Sequence, residues 1–317
     1  MSPSPDNLAP GLTAPIASVA LVGDRIDWHT RELAKAMTAR QARAVPVRLE
    51  DCRFDTGSAC GLVVTGFAGG VPDAVIVRSL SGGGFESITL RLGLLHALRE
   101  VGVPVWNDAR AIERCVDKSM TSFLLARAGI PTPATWTTES AAAARAIVER
   151  EVADGPLVLK PLFGSQGRNL RLIRSADELP APADVAGVYY LQRYIGIERD
   201  GGFHDFRILV SQGRVVGAMI RHAAHWITNV KRGGRPVAVV PDAAMKDLAI
   251  RAAASVGANF AGIDILYDAD GRPSVLEVNS MPAWSGLQKV APVDIAGVLA
   301  DDLLTTLSAR TQHRATA

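Results

Sequence analysis

Residues 262–282, GIDILYDADGRPSVLEVNSMP, decide how this chain is read. Asp270-Gly271 is a strong two-residue hairpin turn between two apolar runs. Counting outward from it pairs Ala269 with Arg272 and, five steps later, Asp264 with Glu277. Directly opposed residues have Cβ atoms about 4.5–5.5 Å apart, and like charges so placed destabilise a ladder. Something positive is therefore expected between them. Asn279, two residues after Glu277, shares its strand face and adds a third oxygen. An open, oxygen-only, carboxylate-poor cluster suits Mg²⁺ or Mn²⁺ better than zinc, and Mg²⁺ usually completes its shell with waters and substrate phosphates. The implied ligand is a nucleotide. The alternative is a solvated hairpin edge with its charges bent apart; the flanking Ile263, Ile265, Val275, Leu276 and Val278 argue for a buried setting instead.

The bulk properties set limits around this hairpin. At 317 residues the chain exceeds the usual single core, so two or three subdomains are expected. With 48% apolar and 21% charged residues and a net charge of +2, it has no electrostatic reason to bind nucleic acid or membrane. Cys52, Cys60 and Cys115 have no metal-type spacing, and an odd count without a secretory segment fits a reducing cytosol. Residues 1–14 lack a basic n-region, and the apolar stretch that follows is interrupted by Asp24 and Arg25, so neither a signal peptide nor a transmembrane helix is indicated. Residues 1–14 and 311–317 are expected to be flexible tails.

Between those tails the pattern divides into three. Residues 15–107 open β-α-β, with a buried strand over 16–22, a helix over about 27–42 and a strand near 45–49. AVIVRS then leads into Gly82-Gly83-Gly84, a helix over 87–101 and the short strand VPVWN, which makes a small α/β domain with a parallel sheet. Its triple-Gly loop follows a strand at the end where open α/β sheets place ligands, without the G-x-G-x-x-G fingerprint. Residues 108–192 predict a helix over 108–129, an Ala-rich helix over 139–152 and strands LVLKPL, NLRLIR and VYYLQRYI. Residues 193–310 predict long strands, a helix over 241–256, the metal hairpin and a closing helix near 294–307, with 198–202 and 231–236 as loops.

Several other residues carry chemistry. Lys160 ends an apolar strand and is followed by a Gly-containing loop, Phe163 to Arg168, a way to hold phosphates with an ammonium and close backbone N–H groups. An ordinary strand end is the bland alternative. Lys118 reads, on its own, as a surface helix residue. Asp205 and Arg207 share one face of the strand DFRILV and Arg221 closes the next, as a cross-strand salt bridge or as arginine forks on transferred phosphate or carboxylate oxygens. Asn229 is a turn former or a ligand to phosphate or metal. Trp226 and Trp284 are either core or stacking surfaces.

The order Lys118, VLKPLFGSQGR, LQRYI, DFR, TNVKRGG, GIDI and LEVNSMP resembles the ATP-grasp ligases, specifically the RimK-type amino-acid ligases, over roughly 101–304. The resemblance implies a mixed α/β and α+β chain, an ATP-grasp fold behind an N-terminal parallel α/β domain. ATP would lie between two subdomains, with Lys118 and Lys160 on its phosphates and Gln192, Arg193 and Tyr194 along the adenine edge. Asp205 and Asn229 would line the nucleotide. Asp264, Glu277 and Asn279 would hold Mg²⁺, with Mn²⁺ as substitute, and Arg207 and Arg221 would act on the transferred phosphate and the acyl oxygen. Two departures stand out: Arg193 occupies a position where ribosomal-protein glutamate ligases have Glu, and Trp226-Ile227 replaces their Arg before Thr/Ser-Asn. HWITN together with NSMPAWSGLQ looks instead like the glutamate ligases that modify tetrahydromethanopterin or the deazaflavin cofactor. The function so implied is cytosolic, ADP-forming ligation of L-glutamate to a carboxylate acceptor. Glutamylation of a protein or peptide tail and a non-catalytic ATP-binding module are the alternatives, and a homo-oligomer stays open.

Overall fold

The computed structural model describes residues 15–164, 167–199 and 201–316, the side chains only through residue 310. The tail expected over 1–14 lies outside them, as do Ser165 and Gln166 of the predicted phosphate loop. The chain begins with β1 (Ala17–Val22), α1 (Trp28–Thr38) and β2 (Ala42–Val47), followed by a small hairpin of β3 (Arg53–Phe54) and β4 (Leu62–Val63). Then come β5 (Ala74–Val77), α2 (Phe85–Glu100) and β6 (Val105–Trp106). The sheet order is β2-β1-β5-β6, all parallel, as the β-α-β pattern requires. α1 starts where Asp27 accepts from Thr30 N.

The single helix expected over 108–129 is two: α3 (Ala109–Val116) and α4 (Lys118–Arg127). Asp117 breaks it, extended at φ −79°, ψ 103°, with its carboxylate capping the Ser119 and Met120 amides of the second helix. Lys118 is thereby fixed as the first residue of α4. A four-stranded antiparallel sheet follows, built from β7 (Thr135–Thr138), β8 (Leu157–Lys160), β9 (Arg171–Ile173) and β10 (Tyr189–Arg193) in the order β7-β10-β8-β9. Between β7 and β8, α5 (Ala141–Glu151) lies against it through Ala144 and Val148.

The largest sheet holds β11 (Phe203–Ser211), β12 (Arg214–Ala223), β13 (Arg235–Ala238), β14 (Phe260–Tyr267) and β15 (Pro273–Asn279), in the antiparallel order β13-β12-β11-β14-β15. β13 begins inside the loop expected over 231–236. Alternation sorts the two faces of this sheet. Ile208, Val210, Ile263, Ile265, Val275 and Val278 pack on α6 (Ala243–Val256), which leaves the other face to Asp205, Arg207, Arg221, Asp264 and Glu277. α7 (Ser285–Gln288) and α8 (Ile295–Thr316) close the chain. Leu299, Leu303, Ala296 and Ala300 pack α8 in one cluster with Leu33 and Met37 of α1. No Pro or Gly stops the helix after Leu307, so the flexible tail expected over 311–317 is helical through Thr316.

The hairpin expected to carry the metal forms, with a different turn from the one expected. Asp268 Oδ1 accepts from Asp270 N and Arg272 N, and Asp268 N donates to Arg272 O, so the loop has three residues, with Gly271 at φ +75°. That shifts the register by one, Tyr267 facing Pro273 and Ile265 facing Val275, until a bulge at Leu276 shifts it back. Asp264 does face Glu277. The three cysteines are free, and burial pushes the Cys115 thiol up to about 12, an inert structural thiol. Among the described residues no helix is long and apolar enough to cross a membrane.

Candidate active site

Strand pairing aligns charged residues across the open face of the large sheet. Asp205 lies opposite Arg221, Arg207 opposite Asp264, and Asp264 opposite Glu277. Arg207 Nη2 donates to Asp264 Oδ2 at 2.7 Å and its Nε to Oδ1; Arg221 Nε donates to Asp205 Oδ1 at 2.7 Å, and its Nη2 reaches Asp205 Oδ2 and, at 3.1 Å, Asp264 Oδ2. All four side chains are buried. Burial alone would raise the Asp264 pKa; Arg207 and Arg221 outweigh it and hold the carboxyl below its ordinary value. Burial likewise works against the Arg221 charge, and Asp264 and Asp205 outweigh it in the other direction, so its pKa is raised.

The positive group expected between Asp264 and Glu277 is thus divided. Arginines neutralise Asp264, and two lysines on the facing subdomain act on Glu277. Burial lowers the pKa of Lys118, with Glu277 and Asp117 pulling the other way. Lys160 is pushed down from 10.5 to about 8, by burial first and by Lys118 as well, against the pull of Glu277 and Asp264. Lys118 is no surface residue: its Nζ donates to Gly164 O at 2.8 Å and Leu162 O at 3.3 Å, at the start of the predicted phosphate loop. Lys160 Nζ donates to Gln192 Oε1 at 2.6 Å, and Gln192 Nε2 donates to Thr135 Oγ1 and the Tyr190 hydroxyl, both at 3.3 Å. Tyr190 and Ser122 of α4 share a hydrogen bond of 2.8 Å.

One cleft between the two sheets is lined by Lys118, Lys160, Gln192, Arg193, Tyr194, Asp205, Arg221, Asn229, Asp264 and Glu277. Of the residues singled out from sequence, Arg207 and Asn279 lie outside this lining. Arg207 sits beneath it as the partner of Asp264, and Asn279 stands two pairs along, its Nδ2 donating to Gly262 O at 3.2 Å. Gln192 is 1% exposed and spends its amide on Lys160, Thr135 and Tyr190. The guanidinium of Arg193 turns to the end of α5, donating to Glu151 O, Gly155 O and Glu151 Oε2. Its side chain ties down the end of α5.

The tryptophans separate. Trp284, 1% exposed, is core; Trp226 lies on the cleft with its ring 5.8 Å from that of Tyr194, edge to face. Strand alternation from Lys160 and Asp264 also supplies apolar walls that single-residue reading missed, Val158 and Leu266, and the bulge brings Leu276 onto the cleft beside Glu277. Arg168, Phe203 and His204 line it as well. Arg232 and Arg235, by contrast, are exposed and outside it.

The donor set fits a hard cation. Among the described residues no three His, Cys, Asp or Glu side chains come together. A divalent ion here would draw on Glu277, Asp264 and the Asn279 amide, with the rest of its shell from ligand oxygens, as Mg²⁺ and Mn²⁺ sites do.

Comparison with known proteins follows the same lines. The model of the RimK-like ATP-grasp domain matches residues 115–303. The tetrahydromethanopterin:alpha-L-glutamate ligase of Methanosarcina acetivorans is 34% identical over 248 residues, 68% of this chain and 74% of that protein. A probable alpha-L-glutamate ligase of Alkalilimnicola ehrlichii is 35% identical over 230 residues, 68% and 75% of the two chains. Among solved structures, the ATP-grasp ligase PsnB complexed with minimal precursor, Mg and ADP superposes with a TM-score of 0.70 at 25% identity, covering 91% of this chain and 97% of PsnB.

Proposed function

The chain belongs to the RimK-like ATP-grasp family, and on that premise we propose that it is an ADP-forming ligase adding L-glutamate to the carboxylate of a tetrahydropterin-type cofactor. The observation that carries this is the opposition, across one cleft, of Lys118 and Lys160 to the charged group Arg221, Asp205, Asp264 and Glu277. A carboxylate and a triphosphate repel each other, and such a cleft brings them together by charge and fixed position.

Lys118 and Lys160 hold the phosphates; Tyr194 and the backbone around it, with Val158 and Leu266, hold the base. Glu277, Asp264 and Asn279 would hold Mg²⁺ or Mn²⁺, which would supply neutralisation of the phosphate charge. An acceptor carboxylate oxygen attacks the γ-phosphorus, the bond to the β–γ bridging oxygen breaks, and ADP leaves. The amine nitrogen of glutamate then attacks the acyl carbon, phosphate departs with the bonding pair, and the nitrogen loses a proton to water. Arg221, kept charged by two aspartates, stabilises the acyl oxygen. Arg207 acts through Asp264, a positioning role in place of the direct contact expected for it. Glutamate rather than lysine suits the cleft because arginines such as Arg168 and Arg221 pair with carboxylates. The test supplies ATP, Mg²⁺, one amine (glutamate or lysine) and one acceptor (a tetrahydropterin carboxylate or a ribosomal-protein tail). Glutamate-dependent release of ADP and phosphate with the pterin is expected; pyrophosphate release, or lysine outperforming glutamate, would overturn the assignment. PsnB, solved also with a precursor peptide, favours a peptide acceptor as the second reading, and the tail arm of the same assay detects it.

A further inference from the structure

The segment that leaves β15, residues 280–285, is gripped by three buried side chains of the N-terminal domain, His29, Arg78 and Asn107. Asn107 Nδ2 donates to Phe260 O and to Ser280 O, each at 2.5 Å, and its Oδ1 accepts from Asn259 N at 2.7 Å and Phe260 N at 3.1 Å. It therefore joins the first residue of β14 to the first residue after β15, at the open end of the metal hairpin. Arg78 Nη2 donates to Pro282 O at 2.8 Å, and the guanidinium lies 4.4 Å above the Trp284 ring. His29 Nε2 accepts from Trp284 N at 3.1 Å and Ser285 N at 3.3 Å, while Nδ1 faces Asp27 Oδ2 at 2.9 Å. That pattern needs the neutral ring with its proton on Nδ1.

Packing alone does not call for these residues. Arg78 has no carboxylate within hydrogen-bond reach among the described residues, and its Nε and Nη1 are buried without a partner, a cost that an apolar side chain would avoid. What Arg78 adds is a directed bond to one backbone carbonyl. Each of these bonds to the segment ends on its backbone, within six residues of Asn279. The segment also presses back on the hairpin, for a Cβ added at Gly262, the residue paired with Asn279, would lie 2.9 Å from Pro282 Cβ.

We propose that His29, Arg78 and Asn107 are positioning residues, a latch by which the N-terminal domain sets where Asn279 and Glu277 meet a divalent cation. This rests on the ligase reading above, from which the cation comes. Groups that orient ligands from outside a metal site typically change metal affinity by about 10- to 100-fold when removed. The test uses the full chain with His29→Leu and Arg78→Met, and with His29→Gln and Arg78→Gln to keep an acceptor or a donor in place. It measures amide hydrogen exchange over residues 277–285 and the Mn²⁺ concentration that half-saturates ATP turnover.

Faster exchange at Trp284 and Ser285 spreading to Asn279, with a rise of about tenfold in the Mn²⁺ requirement that His29→Gln or Arg78→Gln largely restores, supports the latch. A lower melting temperature with an unchanged Mn²⁺ requirement overturns it, since that is what glue between domains would give. Wild-type protein without Mn²⁺-dependent ATP turnover overturns the ligase reading and the latch with it, so the two failures are told apart. Should His29→Leu not fold, the Arg78 pair decides by the same criteria.

Discussion

Lys160 holds its positive charge with a neutral hydrogen-bond partner. Its ammonium is bound by the Gln192 carbonyl at 2.6 Å, with Lys118 adding repulsion and burial adding most of the strain on the charge. A polyphosphate would favour the protonated form, so nucleotide affinity is expected to fall as pH rises through about 8, the value to which Lys160 is lowered. Stability of the free protein moves the other way: between pH 8 and 10.5 the unfolded lysine keeps a proton that the folded one has lost, so Lys160 makes the fold more stable as pH rises through that window. Calorimetric nucleotide titrations and melting curves at pH 7, 8 and 9 check both signs, and an affinity that climbs with pH would sink the assignment of Lys160 to the phosphates. Gln192→Glu should raise KM for ATP by about tenfold, because a carboxylate there pairs with the ammonium and competes with phosphate, in line with ~1.5 kcal/mol for a hydrogen bond to a charged group. Glu277→Gln should lower kcat by about 100-fold or more through the loss of one fixed charge, with circular dichroism unchanged. An unchanged KM for ATP in the first variant, or near-normal turnover in the second, contradicts the role of that residue. The partners of Gln192 and Arg193 were not legible from their positions alone. Strand alternation places a residue on a face; it does not say that Gln192 will be spent on Lys160, or that Arg193 will reach back to the carbonyls at the end of α5.

At the scale of elements, the hairpin of β14 and β15 was the part of the fold most legible in the sequence, and it was reached by a different path. A two-residue Asp-Gly turn and a regular ladder predict the Asp264–Glu277 pair; a three-residue turn held by the Asp268 carboxylate and a bulge at Leu276 produce the same pair. The two single-residue shifts cancel. Bulges leave no composition mark, and the pull of one side chain on the amides two and four residues on competes with the intrinsic preference of Asp-Gly. The helix break at Asp117 has the same origin, a carboxylate capping the helix that follows. Gly271→Ala should therefore destabilise the protein by ~1–2 kcal/mol, the cost of a side chain in the left-handed region. Asp268→Ala should cost ~1 kcal/mol by removing two hydrogen bonds to backbone amides. Urea denaturation measures both, and a neutral Gly271→Ala would mean that the loop takes up the two-residue form.

On the scale of the whole molecule, the cleft is made by two sheets facing each other, and the N-terminal domain is joined to the last one by α8 on α1 and by the Arg40–Asp301 ion pair. Three sheets in three stretches of chain could be read from the pattern; how they face one another could not, since the contacts join residues far apart in sequence. One such contact crosses the cleft. Gly167, at φ +65° within the predicted phosphate loop, comes so close to the opposite subdomain that an added Cβ would stand 2.6 Å from Ile227 Cγ2 and 2.7 Å from Asn229 Oδ1. Gly164, in the same loop, meets only ordinary contacts with Pro161, at 3.5 Å and beyond, and its φ is not positive. The two glycines therefore make a matched pair. Gly164→Ala should leave catalysis close to wild type. Gly167→Ala must displace the Asn229 amide or part the loop from Ile227, and misplacing a positioned group by about 1 Å costs on the order of 100-fold in kcat/KM. The loss should appear in ATP-dependent ligation and in KM for ATP, on top of the ~1–2 kcal/mol of stability that a side chain in the left-handed region costs at Gly167 as at Gly271. Equal activity of the two variants would mean that the subdomains adjust around the nucleotide without the Gly167 contact, and that Asn229 has no part in holding it.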